Sequence, residues 1–244
     1  MKDKTLYVFD MDDTLIETVK LSDIVNVENY KIKTEDENIK EYIKKIKGIF
    51  YSLFSKELCF EKKDDSIIIL DCGTKKAIGV EYLDLIQDIT SEQLQQVSLK
   101  DSTKKYLLRV IEEKNGFLVL KPFPGFYDTK ETLGNKINQK IVSIYESVEN
   151  KMILTGRNER MRQDVEEKLK VLKISKPNFG LYLFPGGCNT IVNYKIKTIE
   201  DSILDNGWKE IHFFEDKEEW LEKAFIEITD KFSEIKFHKH LVII

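Results

Sequence analysis

Residues Leu6-Tyr7-Val8-Phe9 run four apolar side chains straight into Asp10-Met11-Asp12-Asp13-Thr14-Leu15. A continuous apolar run of this length reads as a strand buried on both faces, the kind found inside a parallel sheet. Asp10 then sits at the carboxyl end of that strand, the edge at which ligands bind in open α/β sheets. A second carboxylate, Asp12, follows two positions on, and a hydroxyl, Thr14, two positions after that. Two carboxylates so close repel one another. The pattern therefore expects a cation between them, and hard oxygen donors suit Mg²⁺. The same residues also read as a strand followed by a helix cap, because Asp and Thr cap helices well.

From Phe123 onward strand and helix signals alternate. Lys151-Met152-Ile153-Leu154 is a short buried strand ending in Thr155-Gly156-Arg157. Phe179 to Phe184 is another, and Glu210 to Phe214 runs into Glu215-Asp216. A last strand lies within Ile235 to Ile244. Between them, apolar residues at helical spacing predict helices from Asp128 through Ile144, from Glu159 to Leu172, from Lys197 to Asp205 and around Trp220 to Ile228. Asp128-x-x-Glu131 reads as a capping box. Such alternation predicts an α/β fold with a parallel sheet and right-handed crossovers. The strand ends at Asp10, Thr155 and Glu215-Asp216 then converge on one sheet edge, where they form a set suited to phosphoryl transfer.

Residues 21–120 follow a different pattern. Glu37 to Phe54 has helical spacing, and Glu57 to Lys62 and Ser66 to Asp71 read as strands. A third strand, Ala77 to Val80, is expected after the turn Cys72-Gly73-Thr74. Ser91 to Val97 and Ser102 to Lys114 read as helices, the second stopped by Asn115-Gly116, with a strand at Phe117 to Leu120. The expected organisation is a core of residues 1–20 and 121–244 interrupted by an α+β insert, residues 21–120.

The net charge of −4 gives no global pull toward nucleic acid or an anionic membrane. No apolar run approaches the length of a spanning helix, and Met1 to Thr5 reads as no signal peptide. Cys59, Cys72 and Cys188 lack metal-ligand spacing and read as reduced thiols of an intracellular, cytoplasmic protein. His212 stands in an apolar strand and reads as structural. The oligomeric state is not legible.

The opening stretch resembles the first motif of the haloacid dehalogenase-like (HAD) phosphohydrolases, a hydrophobic strand followed by Asp-x-Asp-x-Thr. The resemblance implies that Asp10 is the nucleophile and Asp12 the general acid/base, whose backbone carbonyl also binds Mg²⁺. Asp13 falls at a variable position and inherits no role. Ile153-Leu154-Thr155 is similar to the second motif, whose hydroxyl holds the phosphoryl group. Thr190-Ile191-Val192-Asn193-Tyr194-Lys195 resembles the third, in which a lysine stabilises the phosphorylated intermediate. Lys195 is the choice, with Lys197 its competitor. Phe213-Phe214-Glu215-Asp216 resembles the fourth, in which Asp216 completes the Mg²⁺ shell with Glu215 as a direct or water-mediated ligand. The implied fold is a HAD-like Rossmannoid sheet, with the insert in the place where the first cap class carries its cap.

The resemblance implies a Mg²⁺-dependent phosphomonoesterase acting on a small phosphorylated metabolite or nucleotide. Thr155-Gly156-Arg157 and Glu215-Asp216-Lys217 also resemble patterns of polynucleotide-phosphatase-like HAD domains, including the RNA-repair-like branch. There the arginine contributes to phosphate recognition, so Gly156 and Arg157 become substrate-binding candidates and a polynucleotide end an alternative substrate. Lys217 departs from the arginine of that pattern, which keeps charge but loses bidentate geometry. Against a polynucleotide, residues 20–114 hold 17 Lys/Arg and 18 Asp/Glu, not the positive excess that a nucleic-acid grip usually needs. A reading of another class is a non-catalytic HAD-like binding or scaffold protein. Loss of an acidic motif position would mark it, and none is lost.

Overall fold

The computed structural model describes residues 4–90, 101–123, 125–187 and 190–243. Contacts divide the chain into two compact units: residues 1–18 with 127–244, and residues 19–126. The sequence placed these joints near residues 20 and 121.

The first unit is built on five parallel strands: β1 (Thr5–Phe9), β8 (Lys151–Asn158), β9 (Leu181–Phe184), β10 (Glu210–Glu215) and β11 (Lys236–Leu241). Their spatial order is β11-β10-β1-β8-β9. This is the α/β class, with β1 at the centre. The side chains of β1 explain its place. Leu6 and Val8 are fully buried on one face and Phe9 on the other. Two helices, α5 (Gln139–Ser147) and α6 (Arg162–Val171), pack their apolar residues on the Phe9 face. Two more, α7 (Ile191–Asn206) and α8 (Glu218–Lys231), do so on the Leu6/Val8 face. Thr190 caps α7 by accepting from the Asn193 amide, so that helix starts six residues before the expected Lys197. Gly207 ends it at φ 65°, a left-handed position that suits glycine.

The helix expected from Asp128 does not form there. Short 3₁₀ turns occupy Phe126–Asp128 and Lys130–Thr132, and α5 begins only at Gln139, capped by Asn138. Two causes are visible. The Asp128 carboxylate accepts from the Asn158 amide and Arg160 rather than from its own turn. Residues 134–138 run against residues 15–17, with Glu17 N donating to Lys136 O and Asn138 N to Leu15 O. Gly134 permits that approach, since a Cβ there would lie 1.6 Å from the Glu17 carbonyl oxygen.

The second unit opens with a short helix, α1 (Leu21–Ile24), and a hairpin, β2 (Asn26–Glu28) with β3 (Lys31–Lys33). Its main helix is α2 (Glu37–Phe54), begun by Asp36, whose carboxylate accepts from the Asn38 and Ile39 amides. Ile39, Tyr42, Ile43, Ile46, Ile49 and Phe50 line its buried face. They share a core with an antiparallel sheet of order β4-β5-β7-β6: β4 (Leu58–Lys63), β5 (Ser66–Asp71), β6 (Ile111–Lys114) and β7 (Phe117–Leu120). Two further helices, α3 (Glu81–Asp88) and α4 (Asp101–Val110), complete it. The α+β character matches the sequence reading, with three local corrections.

The helix expected over Ser102 to Lys114 stops at Val110, and Ile111–Lys114 is a strand. Asn115 and Gly116 have φ of 55° and 83°, the doubly positive geometry of a hairpin turn. The Asn-Gly pair therefore joins two strands instead of ending a helix. Ala77 to Val80 forms only isolated bridges, Leu70 to Ala77 and Gly79 to Phe117. Cys59 and Cys72, expected as separate thiols, form a disulfide with Cα atoms 5.0 Å apart. The β4–β5 register sets Leu58 opposite Asp71 and so brings the two cysteines together. The helix expected over Ser91 to Val97 lies outside the described residues, as does Cys188. Among the described residues no helix is long and apolar enough to cross a membrane.

Candidate active site at the carboxyl edge of the parallel sheet

β1 pairs with β10 so that Phe9 lies opposite Phe214, and the Asp10 amide donates to the Phe214 carbonyl at 2.9 Å. Asp10 and Glu215 are the next residues of their strands and emerge side by side. Lys195, five residues beyond the Thr190 cap of α7, reaches between them. Its Nζ lies 2.6 Å from Asp10 Oδ1 and 2.6 Å from Glu215 Oε2. All three groups are buried, with Glu215 and Lys195 at 1% exposure or less. Oxygens of Asp10, Glu215 and Asp216 lie within 4.8 Å of one another. Lys197, the competing lysine, is exposed on the same helix and pairs with Asp201.

The electrostatics of this cluster are unbalanced. Burial pushes the Asp10 carboxyl up to about 7, offset in part by Lys195 and reinforced by Glu215 and Asp12. Burial likewise raises Glu215 to about 7, against the pull of Lys195, and raises Asp216. Lys195 is held above its usual range by Asp10 and Glu215 despite burial. Three carboxylates with one ammonium leave a formal excess of two negative charges in a desolvated place. A divalent cation with a preference for oxygen donors meets both the charge and the ligand type. The donor set thus fits Mg²⁺ held by Asp10, Glu215 and Asp216.

Asp12 is handled separately. Arg157, 2% exposed, turns its Nε toward both Asp12 oxygens at 2.9 and 3.0 Å and its Nη2 toward Oδ1 at 2.6 Å. The remaining guanidinium protons go to the Tyr127 carbonyl at 2.6 Å, the Thr132 hydroxyl at 2.8 Å and the Thr132 carbonyl at 3.0 Å. An arginine carries five N–H donors in a fixed fork, and these contacts engage all of them. Thr155, fully buried, donates its hydroxyl to Asp12 Oδ2 at 3.2 Å and accepts the Arg157 amide. Asp13 ties the loop instead: it takes φ 52° and accepts the Thr18 amide at 2.8 Å. Gly156 packs on Ile191, where a Cβ would come within 3.0 Å of the side chain.

The structure therefore brings Asp10, Asp12, Thr155, Arg157, Lys195, Glu215 and Asp216 to one edge, from four separate segments of sequence. Three participants were not foreseen: Tyr127 and Thr132, which hold the guanidinium, and Trp220, whose ring lies 4.9 Å from Lys195 Nζ. None of the three has a sequence signature, since each acts through a contact across at least 25 positions of chain.

No protein-family model matches this sequence, and no curated protein or solved structure matches it significantly.

Proposed function

We propose that the protein is a Mg²⁺-dependent phosphomonoesterase of HAD type, with the parallel-sheet unit as its catalytic core and residues 19–126 as a substrate-selecting cap. The observation that carries this reading is the Lys195 ammonium held between Asp10 and Glu215, with Asp216 beside them. In this reading the cluster would supply a nucleophile, a charge-stabilising cation and a metal-competent carboxylate set on one sheet edge.

In this reading the Asp10 carboxylate attacks phosphorus, and the ester P–O bond to the leaving group breaks. Asp12 acts as general acid when it has taken up a proton, which it gives to the departing oxygen, and Arg157 and Thr155 hold the carboxylate that remains. Asp12 then takes a proton from water, whose oxygen attacks the aspartyl-phosphate. The bond from phosphorus to Asp10 breaks, and inorganic phosphate leaves. Lys195, and the Thr155 hydroxyl on turning from Asp12, would donate to the phosphoryl oxygens as charge builds on them. Mg²⁺ at Asp10, Glu215, Asp216 and the Asp12 carbonyl would neutralise phosphoryl charge and keep Asp10 ionised.

The preferred substrate is a small phosphorylated metabolite or nucleotide. One observation favours the second reading, a polynucleotide end. In the insert, Lys31, Lys40, Lys44 and Lys47 line one concavity with Thr34, Ile32 and Ile43. Burial and Lys31 lower the Lys47 pKa, against the pull of Glu57. A neutral total charge thus contains a local phosphate-attracting patch.

The test is hydrolysis of an aryl phosphate with and without Mg²⁺, followed by phosphorylated metabolites, nucleotides and 3′- or 5′-phosphorylated oligonucleotides. Mg²⁺-dependent phosphate release supports the reading. No release from any of these substrates by folded, Mg²⁺-supplied protein overturns it.

A further inference from the structure

The chain has three histidines, and all of them meet on one flank of the parallel sheet. β10 and β11 pair so that His212 lies opposite His238 and Phe214 opposite His240. The His212 and His238 rings stack at 4.3 Å between centroids with 10° between planes. Glu210 projects on the same face as His212, two residues earlier in the strand. Its Oε1 lies 2.8 Å from His238 Nε2 and 3.4 Å from His212 Nε2. These three side chains are between 18% and 43% exposed, so solvent reaches the group.

We propose that Glu210, His212 and His238 form a binding site for a transition-metal ion of the zinc class, separate from the candidate active site. The donor atoms already lie within 4.8 Å of one another. Two imidazoles and a carboxylate, with one position left for water, are a donor set that zinc accepts and that Mg²⁺ does not favour. The strands supply rigidity, because cross-strand partners on a pleated sheet hold their ring spacing without a loop to order. A second shell is also built. His240 Nε2 lies 2.9 Å from His212 Nδ1. A proton on that Nδ1, donated to His240, leaves the Nε2 lone pair of His212 facing Glu210, the tautomer that a metal ligand requires. Tyr7 stacks on the far side of the His212 ring at 4.7 Å and fixes its plane.

The site stands apart from the acidic cluster. Glu210 begins β10 and Glu215 ends it, five residues on, which is roughly 16 Å along a strand. Its ligands come from β10 and from β11, the outermost strand of the sheet. A bound ion would cross-link that edge strand to its neighbour.

The experiment is a calorimetric titration of the full chain with Zn²⁺ in excess Mg²⁺, which fills the carboxylate cluster. Co²⁺ absorption serves as a second, variant-free readout. The expected result is one equivalent of Zn²⁺ and the spectrum of a low-coordinate Co²⁺ centre with nitrogen ligands. His212→Ala and His238→Ala should each abolish the binding. His240→Ala should weaken it about 10- to 100-fold, as loss of an outer-shell partner does. Asp10→Asn should leave it intact. Absence of binding to wild type, retention in the His212→Ala/His238→Ala double variant, or loss in Asp10→Asn would each overturn the proposal.

Discussion

Lys195 Nζ stands 2.6 Å from Asp10 Oδ1 although 185 positions separate the two residues. The contact is buried and shared with Glu215, so it is both the electrostatic centre of the candidate site and a point of structural vulnerability. Removing the lysine leaves two desolvated carboxylates facing each other. Lys195→Met should therefore destabilise the fold by about 3–5 kcal/mol, the scale for a buried pair that loses one partner. Urea unfolding at pH 8 measures it. The loss should shrink at pH 5, where the orphaned carboxyls take up protons.

Asp10→Asn keeps the shape of the side chain and removes the nucleophile. Aryl-phosphate hydrolysis should fall by at least ~10³-fold, because water and the remaining donors cannot replace a covalent step. Circular dichroism should stay unchanged. Turnover close to wild type would rule out the aspartyl-phosphate route.

Metal binding should stabilise the protein in a pH-dependent way. Asp10 and Glu215 have folded pKa values of about 7, above their ordinary values of 3.8 and 4.5. The folded metal-free protein thus holds more protons than the unfolded chain between those limits. The stability these groups contribute is complete below their ordinary values and is lost as pH rises through about 7. Mg²⁺ binds the ionised form and should restore it. Thermal melts should show a larger Mg²⁺-dependent rise in Tm at pH 8 than at pH 5. Equal rises at both would exclude these carboxylates as the ligands.

Arg157 engages Asp12 with its guanidinium while its other donors hold Tyr127 and Thr132. A role in positioning Asp12 predicts that Arg157→Met lowers kcat by about 10²- to 10⁴-fold, the range for a general acid/base step, with KM little changed. A role in gripping the substrate phosphate would raise KM instead. Steady-state kinetics on an aryl phosphate separate the two.

Thr14 Oγ1 is fully buried and, among the described residues, is the buried side-chain polar atom that lacks a hydrogen-bond partner. Such an orphan costs about 1–3 kcal/mol. Thr14→Val should therefore raise stability by roughly 1 kcal/mol in urea unfolding. A loss of stability instead would mean that the hydroxyl is engaged in the folded protein.

The sequence by itself determined the five strands of the parallel sheet and the polar residues at the ends of three of them. The run Leu6 to Phe9 had to be buried on both faces, and the alternation after Phe123 had to make a parallel sheet. A parallel sheet gathers strand ends at one edge, so the sequence alone groups Asp10, Thr155, Glu215 and Asp216. These are local signals: apolar period, chain direction and the residue after the last apolar position. The tertiary structure decided everything that depends on which distant groups meet. Asn115-Gly116 reads equally as a helix stop or a hairpin turn, and pairing with β7 chose the hairpin. Asp128 reads as a cap, but its carboxylate was taken by Asn158 and Arg160, and Gly134 let another segment pass instead. The choice of Lys195 over Lys197 turned on which face of α7 met the sheet. The bonding of Cys59 to Cys72, the clamp of Arg157 on Asp12 and the meeting of three histidines beside Glu210 rest on register between strands. Register is set by the packing of whole faces, and no short stretch of sequence encodes it.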